Sequence, residues 1–88
     1  MYYTYVLYSP KFDKIYIGQT DNLVNRLERH NLGMVRSTKV YLPWDILHFE
    51  VFKTRGEAMR REKELKTHIG RDFIRDILLN GRVRQLPD

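Results

Sequence analysis

The first twenty residues constrain the fold of this chain more than any other stretch. Residues 2–9 (YYTYVLYS) are almost entirely aromatic, β-branched or hydroxylated, which is the composition of a strand. A polar turn containing Pro10 and Asp13 follows, and residues 15–19 (IYIGQ) read as a second, shorter strand. With about five residues between them, the two segments form one β-hairpin. Helical periodicity starts directly afterwards, with Thr20 and Asp21 as candidate N-caps. Leu23, Leu27 and Asn31 recur at i, i+4 and i+8 on a predicted inward stripe, and Gly33 is the expected C′ residue.

Residues 34–45 read as a longer connection in which Arg36 and Lys39 flank two hydroxyls, punctuated by Pro43 and Asp45. Residues 46–52 (ILHFEVF) alternate Leu47, Phe49 and Val51 against His48 and Glu50, predicting a third strand with one polar face. Thr54 and Glu57 form a capping box ahead of a helix of about a dozen residues. Its predicted inward stripe is Ala58, Glu62, Leu65 and Ile69. Gly70 is expected to break that helix, and Phe73, Ile74, Ile77 and Leu78 mark a short final helix stopping at Asn80-Gly81. The expected architecture is a single α+β domain over residues 1–82, ordered β-β-α-β-α-α. It has a three-stranded, largely antiparallel sheet flanked by helices, and a loosely ordered tail over residues 83–88.

Composition removes several kinds of chemistry. There is no cysteine, so disulfides, thiolate zinc sites and cysteine nucleophiles are excluded. The three histidines, His30, His48 and His68, are too far apart for an HxxxH metal pair, and only Ser9 and Ser37 could serve a serine triad. No glycine-rich phosphate loop is present. No apolar run approaches the roughly 18 residues of a membrane span, and the N-terminus reads as a strand rather than a secretory signal. A cytoplasmic protein without a membrane partner is expected. A net charge of +5 and a pI near 9.7 in 88 residues favour polyanions, with nucleic acid the expected partner.

Glu62 breaks the helix pattern, because it falls where an apolar residue belongs. A carboxylate in such a stripe costs several kcal/mol unless it is paired or binds a cation. Two readings follow: a salt bridge to Arg26 or to a helix neighbour, or a ligand for a hard divalent cation such as Mg²⁺. Tyr5 and Tyr16 lie on adjacent hairpin strands, where tyrosines are ordinary core or edge residues. Their placement also brings both hydroxyls toward one cleft, where a cation or metal could lower a phenol pKa from its usual value near 10. Arg26 and His30 share a helix row at i, i+4, on the border of core and solvent. Arginine suits a phosphate through its planar, permanently charged fork, although a solvated face is the usual fate of a helix arginine. Arg36, Ser37, Thr38 and Lys39 are either a phosphate-contacting loop or a solvated one.

Taken in order, these segments resemble the GIY-YIG nuclease superfamily. Tyr3-Thr4-Tyr5 stands where the GIY triplet would be, and Tyr16-Ile17-Gly18 is the YIG triplet unchanged. The segment from Asp21 to Leu27 is similar to the helix carrying the family arginine. The segment from Glu57 to Glu62 is similar to the helix carrying the metal-binding glutamate. The short overall form is similar to the small stand-alone bacterial members, which resemble the N-terminal domain of the excision-repair nuclease C subunit. The resemblance implies Mg²⁺- or Mn²⁺-dependent hydrolysis of DNA phosphodiesters, structure-specific or repair-related. It implies that Tyr5 and Tyr16 orient or activate water, that Arg26 with His30 stabilises the phosphoryl group, and that Glu62 holds the metal. Gly18, Arg36 and Lys39 are the expected nucleic-acid contacts, and no organic cofactor is expected. The chain departs from the pattern in lacking the Gly and Ile of the first triplet. It also carries Gln19 where repair-type members have lysine, and lacks an asparagine soon after the metal helix. The absence of a targeting domain suggests a protein partner that supplies targeting. A non-catalytic nucleic-acid-binding module, or a subunit needing a partner, is the alternative.

Overall fold

The computed structural model describes residues 1–84. Strand β1 (Tyr2–Ser9) and strand β2 (Lys14–Thr20) form the hairpin, followed by helix α1 (Leu23–Asn31), a single 3₁₀ turn (Lys39–Tyr41), strand β3 (Asp45–Phe52), helix α2 (Arg55–Leu65) and helix α3 (His68–Arg84). The sheet is antiparallel throughout, in the order β2-β1-β3. The α+β architecture and the element order are those the sequence predicts.

Strand β1 is central because both of its faces are covered. Thr4, Tyr5, Val6 and Leu7 are all buried, and a strand sandwiched in this way reads as a continuous run rather than an alternation. Tyr5 and Leu7 face one side, where they pack with Trp44, Tyr16, Leu23, Leu27 and Ile46 beneath α1 and the 34–45 connection. Val6 faces the other side and packs with Leu65, Ile74, Ile17 and Leu47 beneath α2 and α3. Thr4, also on that side, satisfies its hydroxyl by donating to the Ala58 carbonyl of α2 at 2.6 Å.

Several local expectations are corrected. The N-cap of α1 is Asn22, whose side chain accepts the Asn25 N–H at 3.0 Å, while Thr20 Oγ1 accepts the Asn22 N–H one step earlier. Asn31 is not an inward stripe residue. It is exposed, and its amide clamps the connection by pairing with both the N–H and the carbonyl of Trp44. Gly33 is the C′ residue as expected, with φ of +76°.

The polarity of β3 is inverted. Glu50 and His48 share a face with Thr4 and Val6 and therefore point at α2 and α3. There Glu50 accepts two hydrogen bonds from Arg61, and His48 stacks edge-on to Phe73. Phe49 and Val51, expected inside, are about half exposed, because α1 packs over the β1–β2 side of the other face. A register shift opposite Val6 and Leu7 turns Leu47 toward the α2–α3 core.

Gly70 does not break a helix. Chain direction changes two residues after Leu65, and Gly70 lies in the first turn of α3, where its N–H is accepted by Thr67 Oγ1. A Cβ there would collide with the Glu64 carbonyl and the Leu65 backbone, so Gly70 allows α3 to fold closely onto the end of α2. Ile69, placed on the inward stripe by its spacing, is 79% exposed because it belongs to α3 rather than α2. Helix α3 is also longer than expected. It runs through Asn80 and Gly81 to Arg84, so residues 83 and 84 are helical, and the remainder of the expected tail lies outside the described residues. No described helix is long and apolar enough to cross a membrane.

Candidate active site

Four of the predicted residues meet on the α1 side of the sheet. Tyr5, at the centre of β1, is buried, and its hydroxyl lies 3.1 Å from His30 Nε2 and 3.4 Å from Arg26 Nε. Arg26 and His30 reach it together because their i, i+4 spacing on α1 stacks them on one row. Tyr16 comes from the neighbouring strand. Its ring lies 4.9 Å from the His30 ring and 6.3 Å from the Tyr5 ring, and it is partly exposed where Tyr5 is not. The cluster therefore has an inner phenol and an outer one.

Gly18 makes this packing feasible. It is paired with Tyr5 in the β1–β2 register, and a Cβ on it would lie 2.6 Å from the Tyr5 hydroxyl oxygen and 3.1 Å from the Tyr16 ring. The YIG glycine is thus the clearance into which the Tyr5 hydroxyl fits, and it is itself buried.

His30 is fully buried, and its second nitrogen, Nδ1, lies 2.8 Å from Thr38 Oγ1. The Thr38 hydroxyl donates in turn to the Val35 carbonyl at 3.4 Å. With that hydroxyl proton engaged, His30 Nδ1–H donates to Thr38, and Nε2 is left to accept the Tyr5 O–H. Burial, reinforced by the charges of Arg26 and Arg29, lowers the His30 pKa to about 4, so the ring is neutral at pH 7. The Tyr5 phenol is pushed up, mainly by burial. The Arg26 hydrogen bond opposes that rise, while Tyr16 and Glu62 add to it. Arg26 is held still more firmly in its charged form, first by its Tyr5 hydrogen bond and also by the nearby Tyr16. Tyr5 therefore donates to a neutral imidazole and accepts from a permanent cation. This arrangement locks the guanidinium in orientation rather than generating a phenolate.

Glu62 lies on α2, which packs on the opposite face of the sheet, yet its charge acts on the Tyr5 hydroxyl. Its side chain is 24% exposed and accepts from Lys66 Nζ at 2.8 Å, which is the helix-neighbour salt bridge rather than a pairing with Arg26. Among the described residues, no three His, Asp or Glu side chains converge to cage a metal. Magnesium seldom needs such a cage, since one or two carboxylates suffice when water and phosphate oxygens complete the shell. A single carboxylate that is 24% exposed fits that donor set.

Arg36 and Lys39 are exposed, and among the described residues neither makes an ion pair or a side-chain hydrogen bond. Thr38, between them, is buried and anchors the loop through His30, with Trp44 Nε1–H donating to its carbonyl at 3.0 Å. The sequence offers Thr38 only as a phosphate-contacting or solvated loop hydroxyl and shows no site role for Trp44.

The family model of the GIY-YIG catalytic domain matches residues 1–73, a span that contains every residue of this cluster. The chain belongs to the GIY-YIG family. It is 36% identical over 81 residues to a UPF0213 protein of Pediococcus pentosaceus, covering 91% of this chain and 84% of that one. A UPF0213 protein of Staphylococcus haemolyticus is 37% identical over 67 residues, covering 75% and 80% respectively. The solution NMR structure of a UPF0213 protein from Bacillus halodurans aligns with a TM-score of 0.51 at 26% identity, over 88% of this chain and 85% of that one. The GIY-YIG assignment gives the domain a nuclease-type function, with nucleic acid as the class of molecule it acts on. The YIG triplet is intact at Tyr16-Ile17-Gly18, and the first triplet keeps only its tyrosine, Tyr5, whose hydroxyl makes the contacts described above.

Proposed function

We propose that this GIY-YIG domain is a Mg²⁺- or Mn²⁺-dependent endonuclease that hydrolyses phosphodiester bonds in DNA. The observation that carries the reading is the Tyr5 hydroxyl suspended between neutral His30 and charged Arg26, with partly exposed Tyr16 beside them. Arg26 is the group that meets charge developing on the phosphoryl oxygens, and its fork is aimed in advance by Tyr5, so no reorganisation is needed during reaction. His30 and Thr38 act as positioning residues that fix Tyr5. Tyr16, the outer phenol, is the one water can reach, and it orients that water for attack on phosphorus. Glu62 would hold the divalent cation, which supplies charge neutralisation at the leaving oxygen when bound. Arg36 and Lys39 contact flanking phosphates, while buried Gly18 contributes by admitting Tyr5 rather than by touching the nucleic acid.

A second reading is a binding module without turnover, and the Lys66–Glu62 contact favours it, because the ammonium occupies the only carboxylate at the site among the described residues. The two are separated by incubating purified protein with linear, nicked, branched and single-stranded DNA in Mg²⁺ or Mn²⁺. The nuclease reading predicts nicking of at least one form, stopped by chelator and reduced on the order of 100-fold or more by Glu62→Ala and by Tyr16→Phe. Salt-sensitive binding of every form with no nicking selects the binding module instead.

A further inference from the structure

Behind the β2 edge, on the sheet face opposite Tyr5, lies a cleft of about 600 Å³ that the catalytic cluster does not use. Its floor includes Ile17, Ile74 and Leu78, and its rim carries Lys66, Arg71 and Arg75. Three cations share this concavity with a single carboxylate among the lining residues. That carboxylate, Asp13, also accepts the Tyr8 hydroxyl at 2.8 Å, and it offsets at most one of the three cations. Arg75 reaches Asp72 only at 3.5 Å and on the exposed helix surface, and Arg71 forms no ion pair among the described residues. Strand β2 is an edge strand, so its outward backbone N–H groups are also available there.

Two residues of the cleft relate it to the candidate active site. Tyr16 lines it from β2, and Lys66, on its rim, is the residue paired with Glu62. We propose that this cleft carries the sugar-phosphate backbone of the nucleic acid away from the scissile bond, and that Lys66 is exchanged between Glu62 and that backbone. In the free protein the Lys66 ammonium neutralises the Glu62 carboxylate. With Glu62 holding a divalent cation, Lys66 would be released, and its flexible stem would let the freed charge reach a phosphate beside Arg71 and Arg75. This extends the nuclease reading by assigning a substrate track, and the track binds whether or not the domain cuts.

The test is fluorescence anisotropy with a labelled 20-nucleotide single-stranded DNA in chelator, titrated at several salt concentrations. Arg71→Ala/Arg75→Ala is compared with Lys53→Ala/Arg60→Ala, which removes the same charge from exposed positions outside the cleft. Losing two phosphate contacts should reduce the slope of log K against log salt by about 1.4 in the cleft variant and by much less in the control. In chelator Lys66→Ala should leave the slope unchanged, because Glu62 then holds the lysine, and it should tighten Mn²⁺ binding, read by titration calorimetry, on the order of fivefold. Equal slopes for the two double variants overturn the track. A Lys66→Ala protein with unchanged Mn²⁺ affinity overturns the exchange. Cleavage is scored separately: nicking with an unaltered cleft slope sinks this inference and leaves the nuclease reading standing. Binding through the cleft without nicking does the reverse.

Discussion

A single methyl group added at Gly18 should disable the site and soften the fold together. In Gly18→Ala the new Cβ would sit 2.6 Å from the Tyr5 hydroxyl oxygen and 2.8 Å from Tyr5 Cζ, well inside the 3.4 Å at which ordinary contact begins. Tyr5 cannot yield cheaply. Its ring is 1% exposed, and its hydroxyl is tied to His30 and Arg26. Moving the ring by most of an ångström adds an overpacking cost of about 1–3 kcal/mol. Breaking the bond to His30 Nε2, which is fully buried, adds roughly 1 kcal/mol or more. A total of about 2–4 kcal/mol corresponds to a drop in melting temperature of roughly 10–25 °C for a domain of this size. Gly56→Ala provides the internal control, since a Cβ there meets nothing within 4 Å and the position is helical. Thermal melting followed by circular dichroism, with DNA cleavage measured on the same preparations, reads both effects. Gly18→Ala melting within a couple of degrees of the parent, with cleavage intact, would refute the idea that Tyr5 is pinned against Gly18.

Other consequences can be checked on the same material. The His30 pKa is lowered to about 4, so the unfolded chain binds a proton that the folded one refuses between pH 6.5 and 4. This contribution is complete above pH 6.5 and is lost as pH falls toward 4, up to about 3 kcal/mol, and urea midpoints should show it. Glu50, held below its usual range because its Arg61 and His48 hydrogen bonds outweigh burial, extends the loss in the same direction at lower pH. Gly70→Ala should destabilise by roughly 3 kcal/mol despite the higher helix propensity of alanine, because the Cβ meets the backbone of Glu64 and Leu65. A melting temperature at or above the parent's would show that α3 can move away from α2. Glu62→Ala should change stability by no more than about 0.5 kcal/mol, since it removes only an i, i+4 pair whose lysine is 53% exposed. A melting shift beyond a few degrees would mean that Glu62 has a structural role.

The parts of this domain legible in sequence were those set by local rules. The aromatic and β-branched run of residues 2–9, the capping box at Thr54 and Glu57, and Gly33 after α1 each predicted an element that is present. The α1 row of Arg26 and His30 was equally readable, because helical spacing alone puts both on one side. What failed depended on partners distant in sequence. The alternation of residues 46–52 was real, but which face is inside depended on where α2 and α3 pack, and Glu50 is turned inward by Arg61. Gly70 has the same identity whether it breaks a helix or admits a neighbouring one, and only the proximity of Leu65 distinguishes the two. Thr38 reads from sequence as a phosphate-contacting or solvated hydroxyl between two cations, whereas it holds the imidazole that holds Tyr5. Glu62 departs from the apolar stripe in the sequence, and its partner is Lys66, one turn along the same helix.

The central claim is that a guanidinium aimed in advance by Tyr5 stabilises charge on the reacting phosphate, and Arg26→Lys tests it most directly. Lysine keeps the positive charge but loses the planar fork that meets Tyr5 at 3.4 Å. Single-turnover cleavage under saturating protein should fall on the order of 100-fold or more, while DNA affinity measured in chelator changes by no more than about twofold. Cleavage by Arg26→Lys at the parent rate, or a rate loss matched by an equal loss of binding, would contradict it.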